Sequence, residues 1–439
     1  MNKVILSGLF VILASLFLVP WIHGNDGAGY YSYVRSAFID HDLNLGDEKE
    51  YFSQQFSVNS ILLDNSTAVY YSQYPIGVSL LWAPFFALAH MDSVLLGLPA
   101  DGYSFVYILM VSLGSAVLAF LGILASYSVC SEFFSRRTAF ISVLSFWISS
   151  NLFYYMFFEA SMSHACSFFA VSLFVFFWFR VYEKGSFAQW FVLGLLSALV
   201  VMVRYQDGVF LLIPLVFSIA RYYSFAVNRS VKKLVVMFSK NSVYIAGFFL
   251  GLAPQLFVLK YQHGAYFSAL QNYQTSINFV HGFVHVAGVL FSSNHGLFLW
   301  TPVALLGFLG LFGAALKTGG KKKFFAQLFI IAFLAQLLFV ASTAEWHGAQ
   351  SFSHRMFVSA GVFLVFGLCF SVDFIEKHFG RKVSVFILVI LCLWNFGLMA
   401  QYGLRMIPAE GAVSFVQVFY NFFFELPSRV IEALSIIRG

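Results

Sequence analysis

The sequence predicts an all-α polytopic membrane protein of about eleven transmembrane helices (range about 10–13), and three observations carry that prediction. Hydrophobic residues make up 60% of the 439 and charged residues 10%, whereas about a quarter of a soluble domain is charged. Mean hydropathy is +0.82. Apolar runs of near-bilayer length recur along the chain, and most of the 25 Lys and Arg residues fall in short loops between them.

The first run, 4–22, follows a single lysine and lacks a small-x-small cleavage site. It reads as an uncleaved helix with a cytoplasmic N-terminus. Ten further runs occupy 103–128, 138–155, 164–181, 187–203, 208–221, 241–259, 297–316, 324–342, 356–374 and 383–402. The stretch Ile76 to His90 is also apolar, but it is short and contains Pro84. If it crossed the membrane, Arg136 and Arg137 would fall outside and every later loop would invert. Read as an interfacial or re-entrant element, it leaves the basic loops at Arg136–Arg137, Arg180–Lys184, Arg221–Lys240, Lys317–Lys323 and Lys377–Lys382 on the cytoplasmic side, as the positive-inside bias requires.

The outer face then holds loop 23–102, a second long loop 260–296, and short loops near 156–163, 204–207 and 343–355. The expected organisation is one transmembrane catalytic domain, 1–402, and an interfacial tail, 403–439. No internal repeat is visible. The net charge of +6 is scattered rather than clustered, which excludes a nucleic-acid partner. Cys130, Cys166, Cys369 and Cys392 lack paired spacing and read as buried thiols.

Ionisable groups inside or beside a bilayer are expensive and usually face a cavity or a partner. Sorted by side, the outer face collects Asp26, Asp40, Asp42, Glu159, His164, Arg204, Asp207, His263, His281, His285, His295, Glu345, His347, His354 and Arg355. The cytoplasmic loops offer almost only Lys and Arg, so a working site faces outward. In loop 23–102, Tyr30, Tyr33, Val34, Ala37 and Phe38 have the spacing of an amphipathic helix lying on the membrane surface, with Asp26 at or just before its N-terminus. Two readings of that turn are compatible. Asn25 or Asp26 caps the helix, or Asp26 is a carboxylate positioned as a general base.

The loop Thr343 to Arg355 is a second cluster. Arg355 has the fork geometry that suits phosphate oxygens, and His354 could add a donor; the alternative is an arginine reaching to lipid headgroups. Arg204 and Asp207 form either a phosphate contact or, by slight preference, a mutually neutralised pair. Glu159, His164, Glu345 and His347 are the candidate ligands for a divalent metal, although no zincin or Cys-His spacing is present.

These features resemble the GT-C superfamily of integral-membrane glycosyltransferases, which includes protein O-mannosyltransferases and the bacterial lipid A aminoarabinose transferases. The matching pieces are the first helix, the loop opening with Asp26 and Tyr30-Tyr31, the acids Asp40 and Asp42, and Tyr74-Pro75-Ile76-Gly77. Trp346-His347-Gly348 with Phe352-Ser353-His354-Arg355 looks like the Trp-Gly/Arg loop of bacterial members. The chain departs where Asp26-Gly27 stands in place of the Asp-Glu of many members.

The resemblance implies an inverting transfer of a sugar from a polyprenyl-phosphate donor to an acceptor hydroxyl on the outer, periplasmic or extracellular, face of a bacterial inner membrane. It implies Asp26 as general base, Arg355, His354 and Arg204 at the donor phosphate, and Tyr30, Tyr31, Asp40, Asp42 and Trp346 as acceptor or supporting residues. The rival readings are a lipid or solute transporter or flippase, and an O-antigen ligase or polymerase. The missing repeat and the one-sided acids argue against the first, and the early position of the large loop argues against the second.

Overall fold

The computed structural model describes residues 2–266 and 277–438, so part of loop 260–296, and with it the His281 side chain, lies outside the described residues. In chain order the helices begin α1 (Asn2–Phe17), α2 (Gly24–Arg35), α3 (Gly46–Ser53), α4 (Gly77–Leu96), α5 (Phe105–Cys130), α6 (Arg136–Ser149), α7 (Asn151–Phe157), α8 (Ser163–Val181), α9 (Phe187–Val203), α10 (Leu212–Val227), α11 (Val231–Gly251) and α12 (Ala253–His263). Between α3 and α4 an antiparallel hairpin joins β1 (Ile61–Asp64) to β2 (Val69–Ser72), with Ile61 opposite Ser72. The protein is an all-α polytopic membrane protein.

Each of the eleven runs read from the sequence has a helical counterpart. Among the described residues eight helices are long and apolar enough to cross a bilayer, or nine if the bent pair α6 and α7 is one span. Shorter apolar helices include Asn2–Phe17, Phe187–Val203 and Pro302–Lys317. Two boundaries differ from expectation. The short run 208–221 is part of a 23-residue stretch, Tyr205–Val227, that opens in a 3-10 turn. Lys232, Lys233 and Lys240, expected in a loop, lie on α11, because a lysine stem is compatible with a helix and lets the charge reach outward.

The chain divides into two compact units, Met1–Val129 with Tyr155–Ser276, and Cys130–Tyr154 with Ile277–Gly439. In the first unit, α4 is 20 residues long and passes a length test for spanning. Both of its ends are nevertheless tied to the same loop. Just before it, Tyr33 Oη donates to the Tyr74 carbonyl at 3.3 Å. Just after it, Tyr31 donates to the Gly102 carbonyl, Arg35 Nε donates to the Asp101 carbonyl at 3.2 Å, and Tyr103 stacks on Tyr51 at 3.6 Å. The stretch Ile76 to His90, expected to be interfacial, is thus part of a longer helix that is long and apolar enough to cross a bilayer. Gly77 lets its start sit directly on α9, since a Cβ there would lie 2.4 Å from the Met202 carbonyl carbon.

The spacing that suggested a helix on the membrane surface has a different cause. Residues 27–35 of α2 are all buried, Ser32 and Arg35 included, beneath α4, α8, α3 and the hairpin. Ala37 and Phe38 belong to a π-helical turn, Ser36–Asp40, that ends α2. Tyr30, Tyr33 and Val34 of the stripe face other protein elements, whereas Ala37 is exposed and Phe38 half-buried.

In the second unit the helices Pro302–Lys317 and Gly361–Phe379 run against each other. A Cβ on Gly367 would stand 1.9 Å from the Gly307 carbonyl oxygen, and one on Gly310 would stand 1.9 Å from the Gly367 carbonyl oxygen. Small residues are what allow helix backbones to approach this closely in lipid. Arg137 holds Glu376 through two bonds of 2.8 and 2.9 Å. All four cysteines are free thiols, and Cys130, Cys166 and Cys369 are buried, as expected.

Candidate active site

Gly24, at φ +49, turns the chain into α2, whose N-cap is His23 with no side-chain capping bond. Asn25 does not cap the helix either. Its side chain accepts from the Asn59 amide at 2.6 Å, and its carbonyl accepts from Ser60 Oγ at 2.7 Å, which lays the hairpin strand over the helix start. Asp26 stands in the first turn, where a carboxylate is favoured by the helix dipole. Its Oδ1 accepts a 2.6 Å hydrogen bond from the Tyr74 hydroxyl.

The Tyr74 ring stacks on Tyr30 at 4.7 Å. It fits because residue 29 is glycine, where a Cβ would lie 2.6 Å from that ring. Burial first, and then the Asp26 charge, hold the Tyr74 phenol well above its ordinary pKa. Tyr74 therefore remains the donor at any physiological pH.

The turn before α8 meets the same end of α2. Trp21 Nε1 donates to the Phe158 carbonyl at 2.7 Å, the His23 amide donates to Ser161 Oγ at 2.7 Å, and His23 Nε2 is 3.3 Å from the buried Glu159 carboxylate. At the head of α8, His164 Nδ1 bonds Arg204 Nη1, and Arg204 also donates to Gln206 at 3.2 Å. Asp207 takes the Ser167 hydroxyl at 2.5 Å. Arg204 thus turns to an imidazole, and mutual neutralisation with Asp207, slightly preferred from the sequence, gives way to these contacts.

The other acids of the first loop serve its architecture. Arg35 bonds Asp40 and, at 2.9 Å, the fully buried Glu48, while its guanidinium lies 4.4 Å from the centre of the Tyr103 ring. Burial pushes the Glu48 carboxyl up to about 7, against the pull of Arg35 and with a smaller contribution from Asp40. One cation facing two carboxylates leaves one of them inclined to keep its proton. Asp42 accepts from Ser36 Oγ at 2.8 Å and from the Asn44 amide at 3.1 Å. Tyr31 is fully buried and is a packing residue.

The loop Thr343 to His354 belongs to the second unit. Trp346 stacks on His285 at 4.8 Å and 11°. His354 is buried and donates Nε2–H to the Trp346 carbonyl at 2.9 Å. His295, also buried, bonds the His347 carbonyl through Nδ1 at 3.3 Å. Desolvation, with smaller repulsion from neighbours that include Arg355, lowers His295 to about 4 and His354 to about 3. Both rings are neutral, and each has its N–H committed to a carbonyl. The Nε2–H of His354, expected as a donor to phosphate, is directed at the Trp346 carbonyl. Arg355 opens the 3-10 turn Arg355–Ala360 and is half-buried. Glu345 is exposed, and His347 Nδ1 accepts from the Ala349 amide at 3.2 Å.

Among the described residues no group of three or more His, Cys, Asp or Glu side chains is arranged to hold a metal. Glu159 meets His23, and His164 faces an arginine, an arrangement that disfavours a cation. The sequence reading missed Tyr74 as the partner of Asp26 and Glu48 as the partner of Arg35. The only signal for Tyr74 was its place in the Tyr-Pro-Ile-Gly motif, since 48 residues separate it from Asp26.

The family model for dolichyl-phosphate-mannose-protein mannosyltransferases matches residues 106–243, under a third of the chain. No curated protein sequence matches. The crystal structure of ArnT from Cupriavidus metallidurans bound to undecaprenyl phosphate aligns with a TM-score of 0.51 at 14% identity, over 99% of this chain and 72% of that one. The apo ArnT structure gives 0.48 at the same identity and coverage. The fold is similar to that of ArnT.

Proposed function

We propose that the protein moves a sugar from a polyprenyl-phosphate donor to an acceptor hydroxyl at the outer face of a bacterial inner membrane, with inversion and with Asp26 as general base. In this reaction the acceptor oxygen attacks the anomeric carbon and loses its proton to Asp26. The bond from that carbon to the phosphate oxygen breaks, and its electron pair leaves with the phosphate. The observation that carries the reading is the Tyr74 hydroxyl fixed on Oδ1 of Asp26 in the first turn of α2. A carboxylate held in one orientation is what a base acting on a positioned hydroxyl requires.

Arg355 and Arg204 are the proposed phosphate-binding cations, and the half-buried Trp346 is the proposed aromatic contact to a sugar ring. An undecaprenyl-type carrier is the proposed donor, on the strength of the lipid in the ArnT complex. The N-terminus is proposed to be cytoplasmic, which places the Asp26 loop outside.

The test is a transfer assay on purified protein with a panel of radiolabelled polyprenyl-phosphate sugars, comparing wild type, Asp26→Asn and Arg355→Ala. Wild type should consume one donor. Full activity in Asp26→Asn would remove the base assignment. Flux across proteoliposomes with no donor consumed would favour a transporter.

A further inference from the structure

At the C-terminal end of the second unit a cleft of about 630 Å³ is lined by Leu404, Arg405, Met406, Gln417, Asn421, Glu425, Arg429 and Glu432. That volume is in the range of small-molecule sites. Its floor is built rather than incidental. Gln401 donates to the Val418 carbonyl at 3.1 Å, Asn421 donates to Gln401 Oε1 at 3.2 Å, and Gln417 donates to Asn421 Oδ1 at 2.7 Å. The helix Phe415–Tyr420 and the turn Asn421–Glu425 are seated on the helix Arg381–Gly403, with the Phe422 ring over Gly397 and Phe419 against Trp394.

Arg405 is the unusual member. It sits at φ +56 where the preceding helix ends, with its amide bonded to the Tyr402 carbonyl and the Met406 amide bonded to the Gln401 carbonyl. Such a left-handed helix end usually carries glycine. The arginine side chain is exposed and makes no hydrogen bond or ion pair among the described residues. Arg405 thus stands, exposed, beside a cleft that also holds Arg429, Glu425 and Glu432.

Those four side chains sum to zero charge: Arg429 Nη1 lies 3.4 Å from Glu432 Oε2, and Arg405 and Glu425 are the remaining cation and anion of the lining. The surface around them is apolar. Val416, Phe419, Phe423, Phe424 and Ile431 are all more than half exposed, on a segment that continues from a membrane-length helix. We infer that this cleft binds the headgroup of a zwitterionic phospholipid of the ethanolamine class, with the phosphate at Arg405, the primary ammonium at Glu425, and the acyl chains over the exposed aromatic residues. A phosphatidylglycerol would bring no cation to Glu425. A choline headgroup has no N–H to donate to them.

The test is native mass spectrometry of the full-length protein in detergent, titrated with phosphatidylethanolamine, phosphatidylcholine or phosphatidylglycerol of identical acyl chains. Wild type should retain phosphatidylethanolamine best. Arg405→Gly and Glu425→Gln should each weaken that retention about tenfold, the loss of one charged contact. Arg405→Gly also relieves the left-handed backbone, so its melting temperature should hold or rise, which separates lost binding from lost fold. Soluble phosphoethanolamine should fail to displace the lipid, since it lacks the chains. Equal retention of the three lipids, unchanged retention in Arg405→Gly, or displacement by the soluble headgroup would each overturn the inference.

Discussion

The Tyr74 hydroxyl lies 2.6 Å from Oδ1 of Asp26 and donates to it. Two residues 48 positions apart are joined because the hairpin folds back over the start of α2 and Gly29 leaves room for the phenol ring. If Asp26 is the base, the two variants should differ in degree. Asp26→Asn should lower kcat by about 10²–10⁴-fold, the usual contribution of a general base. Tyr74→Phe keeps the carboxylate but loses its orientation, and a loss of about tenfold in kcat with little change in KM is expected. Single-turnover kinetics on both variants decides, and a Tyr74→Phe enzyme as slow as Asp26→Asn would shift the catalytic role to the phenol.

Gly29→Ala tests the same geometry without touching either polar group. The added methyl collides with the Tyr74 ring, and overpacking of this kind costs about 1–3 kcal/mol. Part of that strain is relieved by moving the ring, so transfer activity should fall more than thermal stability does. An active Gly29→Ala protein with an unchanged melting temperature would show that the ring position has no bearing on turnover.

For Arg355 the expected signature is in donor affinity. Arg355→Ala should raise KM for the polyprenyl-phosphate sugar by about 10- to 100-fold, as removal of a charge-assisted phosphate contact of about 1.5–3 kcal/mol implies. Arg355→Lys should recover part of the loss, since an ammonium keeps the charge without the fork. If Arg355 only reaches lipid headgroups, Ala and Lys variants will bind donor as wild type does.

The two units should respond to pH with opposite signs. Glu48 is raised from 4.5 to about 7 in the folded first loop, so the folded state holds a proton that the unfolded state has lost. Stability of that loop therefore falls as pH rises from about 4.5 to 7. His295 and His354 are lowered from 6.5 to about 4 and 3. There the unfolded state binds the proton first, and stability of the Trp346 loop falls as pH drops below 6.5. Hydrogen exchange corrected for intrinsic rates, followed at segments 42–53 and 343–354, should show the two trends cross. Glu48→Gln should flatten the first trend alone.

Most of the helical plan was legible because hydropathy reports the bilayer directly. Each of the eleven apolar runs has a helical counterpart, whereas the short run with Pro84 is part of a helix, α4, that is itself long enough to cross a bilayer. The surroundings of α2 were not legible. Its stripe of Tyr30, Tyr33, Val34, Ala37 and Phe38 has the same period whether lipid or protein covers it, and only α4 and the hairpin, brought from 30 or more residues away, decide between the two. Asp26 could be singled out by its position beside a helix and a Gly-rich turn. Its partner could not, because no local rule links residue 26 to residue 74. The surroundings of His354 were not legible for a related reason: the sequence gives an imidazole next to an arginine, but burial and the Trp346 carbonyl determine what its nitrogens meet.

The glycines at 307, 310 and 367 have a bearing on how this protein behaves outside a cell. Hydrocarbon offers helices no aversion to escape from, so the pairing of Pro302–Lys317 with Gly361–Phe379 draws on backbone proximity and on the 2.8 Å hydrogen bond from Ser371 Oγ to the Leu306 carbonyl. Such a contact is indifferent to whether lipid tails or detergent chains surround it. The second unit should survive extraction as a folded body, and any loss of activity during purification should be traced first to the hairpin and turns that hold Asp26 in place.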